Sequence, residues 1–313
     1  MAIIFFPLQD YNRDAWLPHL QKAFGDLGLY VWPDRPENDG DVEYVITVRA
    51  QKIWAEFPNL RAILSLSAGV NQYVGHPDMP DNIPLIRMIE DGLDTGMMEY
   101  VVANVMFFHR RMPDFITFQQ QNIWEIGDQY LPKLAREQRV GILGLGHLGG
   151  VCARHLVQLG FQVSGWSNSK KDITGITSHA GAGELDMFLA NTDILVNLLP
   201  LTPDTRGIIN RDFLSKLPRG SYVINAARGP HIVDDDLIEM IDNGHIAAAA
   251  LDVFHTEPLP ADHPFWGHKR VFITPHIAAL TRPDTGTQSL IRSIEMLDKG
   301  QMPDGFVKRD RAY

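Results

Sequence analysis

The chain has 313 residues, 45% of them hydrophobic and 21% charged, with a formal net charge of −10. That length exceeds what one core usually serves and implies two domains, while the acidic balance excludes a general nucleic-acid binder, which displays a clustered basic face. No apolar run reaches the roughly 20 residues of a membrane span, MAIIFFPLQD lacks the basic region and cleavage pattern of a signal peptide, and the single Cys152 cannot close an intrachain disulfide, so a cytoplasmic protein with a buried, inert thiol is expected.

In chain order, short apolar runs alternate with helical patterns: AIIFF, RDAWLPHLQKAF, LYVW, EYVITV, RAILSLSAG and IPLIRM. Such alternation predicts a parallel sheet with helices on its faces. MMEYVVANVMFFHRRM then reads as a long helix, with Val101, Val102, Val105, Phe108 and Met112 spaced for one buried face. A second α/β series begins at Arg139, with RVGILGLG, FQVSGW, TDILVNLLP, SYVINAARG, IAAAALDVF and RVFITP as six strand candidates. Six strands joined by crossovers fit a doubly wound nucleotide-binding domain. The helical tail DTGTQSLIRSIEMLDKG is placed back with the first domain. The expected fold is therefore α/β with two doubly wound parallel-sheet domains. One is discontinuous, residues 1–98 and 283–313, and the other, residues 99–282, binds a dinucleotide.

The dinucleotide reading rests on Gly144, Gly146 and Gly149 of VGILGLGHLGG, with His147 and Leu148 between them. Glycines in a plain bend would look the same. Here they follow RVGIL, open a helix that stops at Gly160 and precede a second strand, which is the βαβ context the motif requires. Without side chains, the backbone amides can approach a pyrophosphate whose charge the helix N-terminus stabilises. About 20 positions on, an acidic residue would bind the ribose of NAD. Residues 161–171 contain none and read WSNSKK at their end. Ser167, Asn168, Lys170 and Lys171 are donors suited to a 2′-phosphate, so NADP is preferred and NAD is the second choice; a solvated loop is the bland alternative.

Three polar residues follow later strand candidates: Arg228 in NAARGPHIVDDD, Glu257 in LDVFHTEPLP and His276 in FITPHIAALT. In open α/β sheets this edge faces the ligand. Together the three residues suit reduction of a 2-oxo acid. Arg228 offers a planar fork to the carboxylate and polarises the carbonyl. His276 supplies the proton as general acid, and Glu257 stabilises its charged form. Asp252 is either a cofactor contact or a support for the strand and loop that carry Glu257.

At these residues the chain resembles the D-2-hydroxyacid dehydrogenase family, in its glyoxylate- and hydroxypyruvate-reducing branch. The likeness runs through SAGVNQYV, MEYVVANVMFFHRRM, GILGLGHLG, NLLPLTPDTRGIIN, NAARGPHIVDDDL, LDVFHTEPLP, TPHIAALTRP and RDRAY. It implies a flavodoxin-like substrate domain, a Rossmann cofactor domain, a homodimer and a small 2-oxo acid substrate. Glyoxylate would give glycolate and hydroxypyruvate would give D-glycerate, with bulkier 2-oxo acids as an alternative. The family's catalytic set maps onto Arg228, Glu257 and His276, with Arg228 and His276 also meeting substrate. The carboxylate loop maps onto Ala68, Gly69 and Val70, and further cofactor contacts map onto Leu199, Pro200, Thr205, Ala226 and Ala227. No metal site is implied. Three positions depart from the pattern or leave a choice. Asn71 stands where Asp is frequent, Val48 and Arg49 stand where the branch places a bulky aromatic, and Trp124 either closes a partner's site or packs in its own core. The fold also occurs in nucleotide-sensing corepressors, a competing reading that the lack of peptide-docking extensions disfavours.

Overall fold

The structure, a computed structural model, describes residues 1–7, 13–125, 127, 131 and 133–308, so the RDRAY segment lies outside the described residues. Contacts divide the chain into two compact units, Met1–Leu93 with Leu280–Tyr313, and Asp94–Ala279.

The first unit holds five parallel strands: β1 (Ala2–Phe5), β2 (Leu29–Val31), β3 (Val42–Thr47), β4 (Ala62–Ser65) and β5 (Leu85–Ile86), in the order β2-β1-β3-β4-β5. That is the doubly wound order of a flavodoxin-like sheet. Ile3, Ile4, Val45, Ile46 and Ile63 are fully buried, as parallel strands covered on both faces must be. Helix α1 (Arg13–Phe24) and the helix Pro283–Asp298, far apart in the sequence, both belong to this unit.

The second unit has seven parallel strands: β6 (Arg139–Leu143), β7 (Gln162–Ser167), β8 (Ile176–Ala180), β9 (Ile194–Asn197), β10 (Ser221–Asn225), β11 (Ile246–Leu251) and β12 (Val271–Ile273). Their order, β12-β11-β10-β9-β6-β7-β8, reverses direction at β6 and β9, the switch point of a Rossmann sheet. Alternate residues enter two cores. Leu195, Val223 and Ala249 join one cluster, and Ile194, Val196, Ile224, Ala248 and Ala250 join the other.

Two sequence expectations change. The sheet has a seventh strand, β8, whose ITSHA is polar and nowhere fully buried; an edge strand of this kind carries little hydrophobic signal. The long helix is in fact two, α2 (Asp91–His109) and α3 (Met112–Gln120), because Arg111 adopts a left-handed φ of 57°. Val101, Val105 and Phe108 are buried as the spacing requires, but Met112 lies beyond the break and is 39% exposed. No helix among the described residues is long and apolar enough to cross a membrane.

Candidate active site

The glycine turn joins β6 to α4 (His147–Gln158). Gly144 has φ +97°, and a Cβ there would sit 2.7 Å from the Leu198 carbonyl oxygen. A Cβ at Gly149 would strike the Gly144 carbonyl, which lets helix and turn pack closely, whereas Gly146 faces open space. No side chain caps α4 and its first turn has no acidic residue, so its leading N–H groups and the positive end of its dipole are available to an anion. Leu148 is half-buried in this turn, and His147 bonds the Asp94 carboxylate through Nε2 at 2.7 and 2.8 Å. This cradle fits a dinucleotide pyrophosphate.

At the end of β7, the Ser167 hydroxyl donates to the Ser169 carbonyl (2.8 Å), and Lys171 Nζ donates to Ser169 Oγ (3.1 Å). Asn168, Lys170 and Lys171 are exposed. Lys170 Nζ pairs with Glu184 at 2.9 Å. Glu184 lies in the first turn of α5 (Ala182–Ala190) and also accepts the Ala180 N–H. Its bond from Lys170, and then that from Ala180, hold its carboxyl below the ordinary Glu range. The stretch 161–171 has no acid in sequence, but the fold supplies one from 184.

Arg228, Glu257 and His276 converge beyond β10, β11 and β12. His276 Nδ1 donates to Glu257 at 2.6 Å, and the other Glu257 oxygen accepts the Phe254 N–H at 2.9 Å. Burial pushes the Glu257 carboxyl up, but the bonds from His276 and Phe254, with the charges of His276 and Arg228, outweigh it and leave it below its ordinary range. For Arg228, burial lowers the guanidinium pKa and the Glu257 charge opposes that; its Nη1 donates to the Ala227 carbonyl at 2.6 Å. Ala226 and Ala227 are buried beside it. The approach depends on Gly229, where a Cβ would collide with the Phe254 backbone.

The loop bearing His276 is held from below by Asp252, only 1% exposed. Its carboxylate accepts from the Thr274 hydroxyl (2.6 Å), Ile277 N–H (2.8 Å) and Ala278 N–H (2.9 Å). The Asp252 carbonyl accepts the His276 N–H at 2.8 Å, and Tyr100 Oη lies 2.8 Å from Thr274 Oγ1. These contacts hold His276 at a left-handed φ of 56°, a conformation a non-glycine residue keeps only when its surroundings impose it. Asn225, fully buried, extends the scaffold: it accepts from Asn197 (3.0 Å) and Ala227 N–H (3.2 Å) and donates to the Arg228 carbonyl (3.1 Å). Sequence reasoning missed Asn225, although a polar side chain closing an apolar strand was the available signal. In the loop after β9, Leu199 is buried and Thr205 Oγ1 donates to the Pro200 carbonyl (2.7 Å).

In the first unit, Ala68 and Gly69 are half-buried and Val70 is buried. Gln72 Nε2 donates to the Val48 and Gly69 carbonyls, both at 3.1 Å, tying this loop to the end of β3. Arg49 is exposed there. Trp124 is 91% exposed, which removes packing in its own core. Cys152 is buried, and desolvation pushes its thiol up to about 12, as an inert thiol requires.

Residues 102–278 match the family described as D-isomer specific 2-hydroxyacid dehydrogenase, NAD binding domain. Glyoxylate/hydroxypyruvate reductase A of Yersinia enterocolitica is 38% identical to the chain, the alignment spanning 100% of both. A D-isomer specific 2-hydroxyacid dehydrogenase of Xanthobacter autotrophicus Py2, solved with NADPH and MES, superposes with a TM-score of 0.92 at 35% identity, covering 100% of this chain and 99% of that one. The NADPH-dependent glyoxylate/hydroxypyruvate reductase of Sinorhizobium meliloti, solved with NADP and sulfate, gives 0.91 at 32% identity over 100% of both chains.

Proposed function

The chain belongs to the D-isomer specific 2-hydroxyacid dehydrogenase family, and from that premise we propose that it reduces glyoxylate to glycolate and hydroxypyruvate to D-glycerate with NADPH. The observation that carries this reading is the 2.6 Å bond from His276 to Glu257 with Arg228 beside it. The Sinorhizobium and Yersinia relatives support the substrate choice through their own activities.

Arg228 is assigned the substrate carboxylate and the polarisation of its keto oxygen. A nicotinamide held by this chain would supply the hydride taken up by the keto carbon. His276 gives a proton to the oxygen that becomes negative, using Nε2 because Nδ1 is engaged by Glu257. Glu257 balances the imidazolium and fixes its ring. Asp252 is assigned as a positioning residue, its carboxylate spent on the 274–278 loop: of the two roles open in the sequence it takes the supporting one, for the loop that carries His276 rather than Glu257. Gly144 to Gly149, with Leu199, Pro200, Thr205, Ala226 and Ala227, are assigned to the cofactor, and Ser167 to Lys171 to its 2′-phosphate. In the first unit, the amides of Ala68, Gly69 and Val70 are assigned as a carboxylate-binding loop. A homodimer belongs to the same proposal, with Trp124 as an exposed contact, and light scattering of the purified chain checks it.

The test is a kcat/KM comparison of glyoxylate, hydroxypyruvate and a series of larger 2-oxo acids, each with NADPH and NADH. Higher values for the two small acids with NADPH are expected. Preference for a large 2-oxo acid or for NADH would overturn the corresponding half of the reading.

A further inference from the structure

His231 is fully buried three residues beyond Arg228. Its Nδ1 lies 3.0 Å from the Arg228 carbonyl oxygen and its Nε2 lies 3.3 Å from the Pro200 carbonyl oxygen. Both facing atoms are acceptors only. Burial, followed by the charges of Arg228 and Arg206, lowers the pKa of this ring despite the two carbonyls, so the neutral form is favoured. A neutral imidazole carries one N–H and can serve one of the two carbonyls. The Pro200 carbonyl already accepts a 2.7 Å bond from the Thr205 hydroxyl, and its contact with the ring is the longer one. The Arg228 carbonyl likewise accepts from Asn225 Nδ2 (3.1 Å) and the His231 N–H (3.3 Å), so existing donors do not separate the two acceptors, and the shorter 3.0 Å contact of Nδ1 does.

We propose that His231 is a positioning residue whose single ring proton resides on Nδ1, gripping the Arg228 carbonyl and so fixing the backbone from which the guanidinium extends. The proposal rests on the reading that Arg228 binds the substrate carboxylate. It places the effect of His231 on keto-acid turnover and leaves the loop around Pro200 held by Thr205.

Three substitutions separate the alternatives, because an asparagine amide nitrogen stands near the place of Nδ1, a glutamine amide nitrogen near that of Nε2, and phenylalanine keeps a ring with neither donor. His231→Phe and His231→Gln should each lower kcat/KM for glyoxylate by up to about 100-fold, the scale of a displaced catalytic group. His231→Asn should recover most of that loss. The KM for NADPH should change less than the KM for glyoxylate in all three. Recovery by Gln and not by Asn would put the proton on Nε2 and overturn the proposal. Equal losses in all three variants, tracking a fall in Tm, would reduce His231 to packing and also overturn it, as would three unimpaired variants. Arg228→Lys is the companion measurement. If it leaves glyoxylate kinetics unchanged, the reading of Arg228 itself fails; if it impairs them while the His231 series departs from the expected order, only the present inference fails.

Discussion

Two ends of the seven-stranded sheet treat polar groups in opposite ways. Beyond β10, β11 and β12, the side chains assigned to chemistry stand on a buried base. Asp252 spends its carboxylate on three donors of one loop, and Asn225 bonds Asn197, Ala227 and Arg228. Beyond β7, Ser167 is buried but the other groups assigned to the 2′-phosphate, Asn168, Lys170 and Lys171, are exposed, and the side-chain bonds of this stretch run to Ser169 or to Glu184. The contrast follows from what each end must do. A proton donor and an oxyanion partner gain most when their geometry is set before substrate arrives. Attraction between an ammonium and a phosphate falls off slowly with distance, so flexible side chains serve.

The largest effect should come at the ordered end. His276→Ala should retain NADPH binding and lower kcat by about 10² to 10⁴-fold, the usual contribution of general acid catalysis. Single-turnover rates check it, and near wild-type chemistry would remove His276 from the donor role. Asp252→Asn should come next. An amide cannot accept all three loop donors, so one buried N–H loses its partner at a cost of about 1 to 3 kcal/mol. The denaturant midpoint should fall, and kcat should drop by up to about 10²-fold as the His276 loop shifts. If the KM for NADPH moves and kcat does not, Asp252 meets the cofactor after all.

The same contrast explains what could be seen in the sequence. Continuous apolar runs marked the buried parallel strands, and the alternation of strands with helices marked both doubly wound sheets. Arg228, Glu257 and His276 were visible because each closes such a run. β8 escaped because an edge strand need not be apolar. The break at Arg111 escaped because nothing in HRRM marks a left-handed residue, and Met112 was placed on a face it does not share. Glu184 escaped for another reason: its partner Lys170 is fourteen positions away, and only the β7–β8 turn brings them together. Asp252 was read with two roles because a carboxylate at a strand end looks the same from sequence whether it faces a ligand or its own loop.

At the exposed end the expected effects are smaller. Ser167→Asp with Lys170→Ala should lower the NADPH to NADH ratio of kcat/KM by about tenfold or more, since each charge-assisted bond lost is individually modest but the new carboxylate also repels phosphate. Saturating glyoxylate and both cofactors give the measurement. An unchanged ratio would show that this loop does not read the phosphate.

The smallest effect, and the one that compares the two ends directly, lies in two glutamates that both titrate below their ordinary range. For Glu184 the leading cause is the bond from Lys170, whose side chain is 66% exposed. For Glu257 burial acts first and upward, and is outweighed by bonds from His276 and Phe254 and by the charges of His276 and Arg228. A carboxyl held low in the folded state contributes stability that is present above its unfolded pKa, about 4.3 for Glu, and lost as the pH falls through the folded value. Neither glutamate should therefore cost stability between neutrality and that point, and each should do so below it. The two carboxylates are about equally exposed, 31% for Glu184 and 36% for Glu257, but their cationic partners differ, 66% for Lys170 and 44% for His276, and salt screens the more exposed partner more strongly. Carboxyl carbon NMR titrations at low and high ionic strength should show Glu184 moving up towards its ordinary range as salt is added, with Glu257 moving less. Equal movement of the two would mean that the ordered end is no better shielded than the exposed one, and the contrast between them would then rest on hydrogen bonding alone.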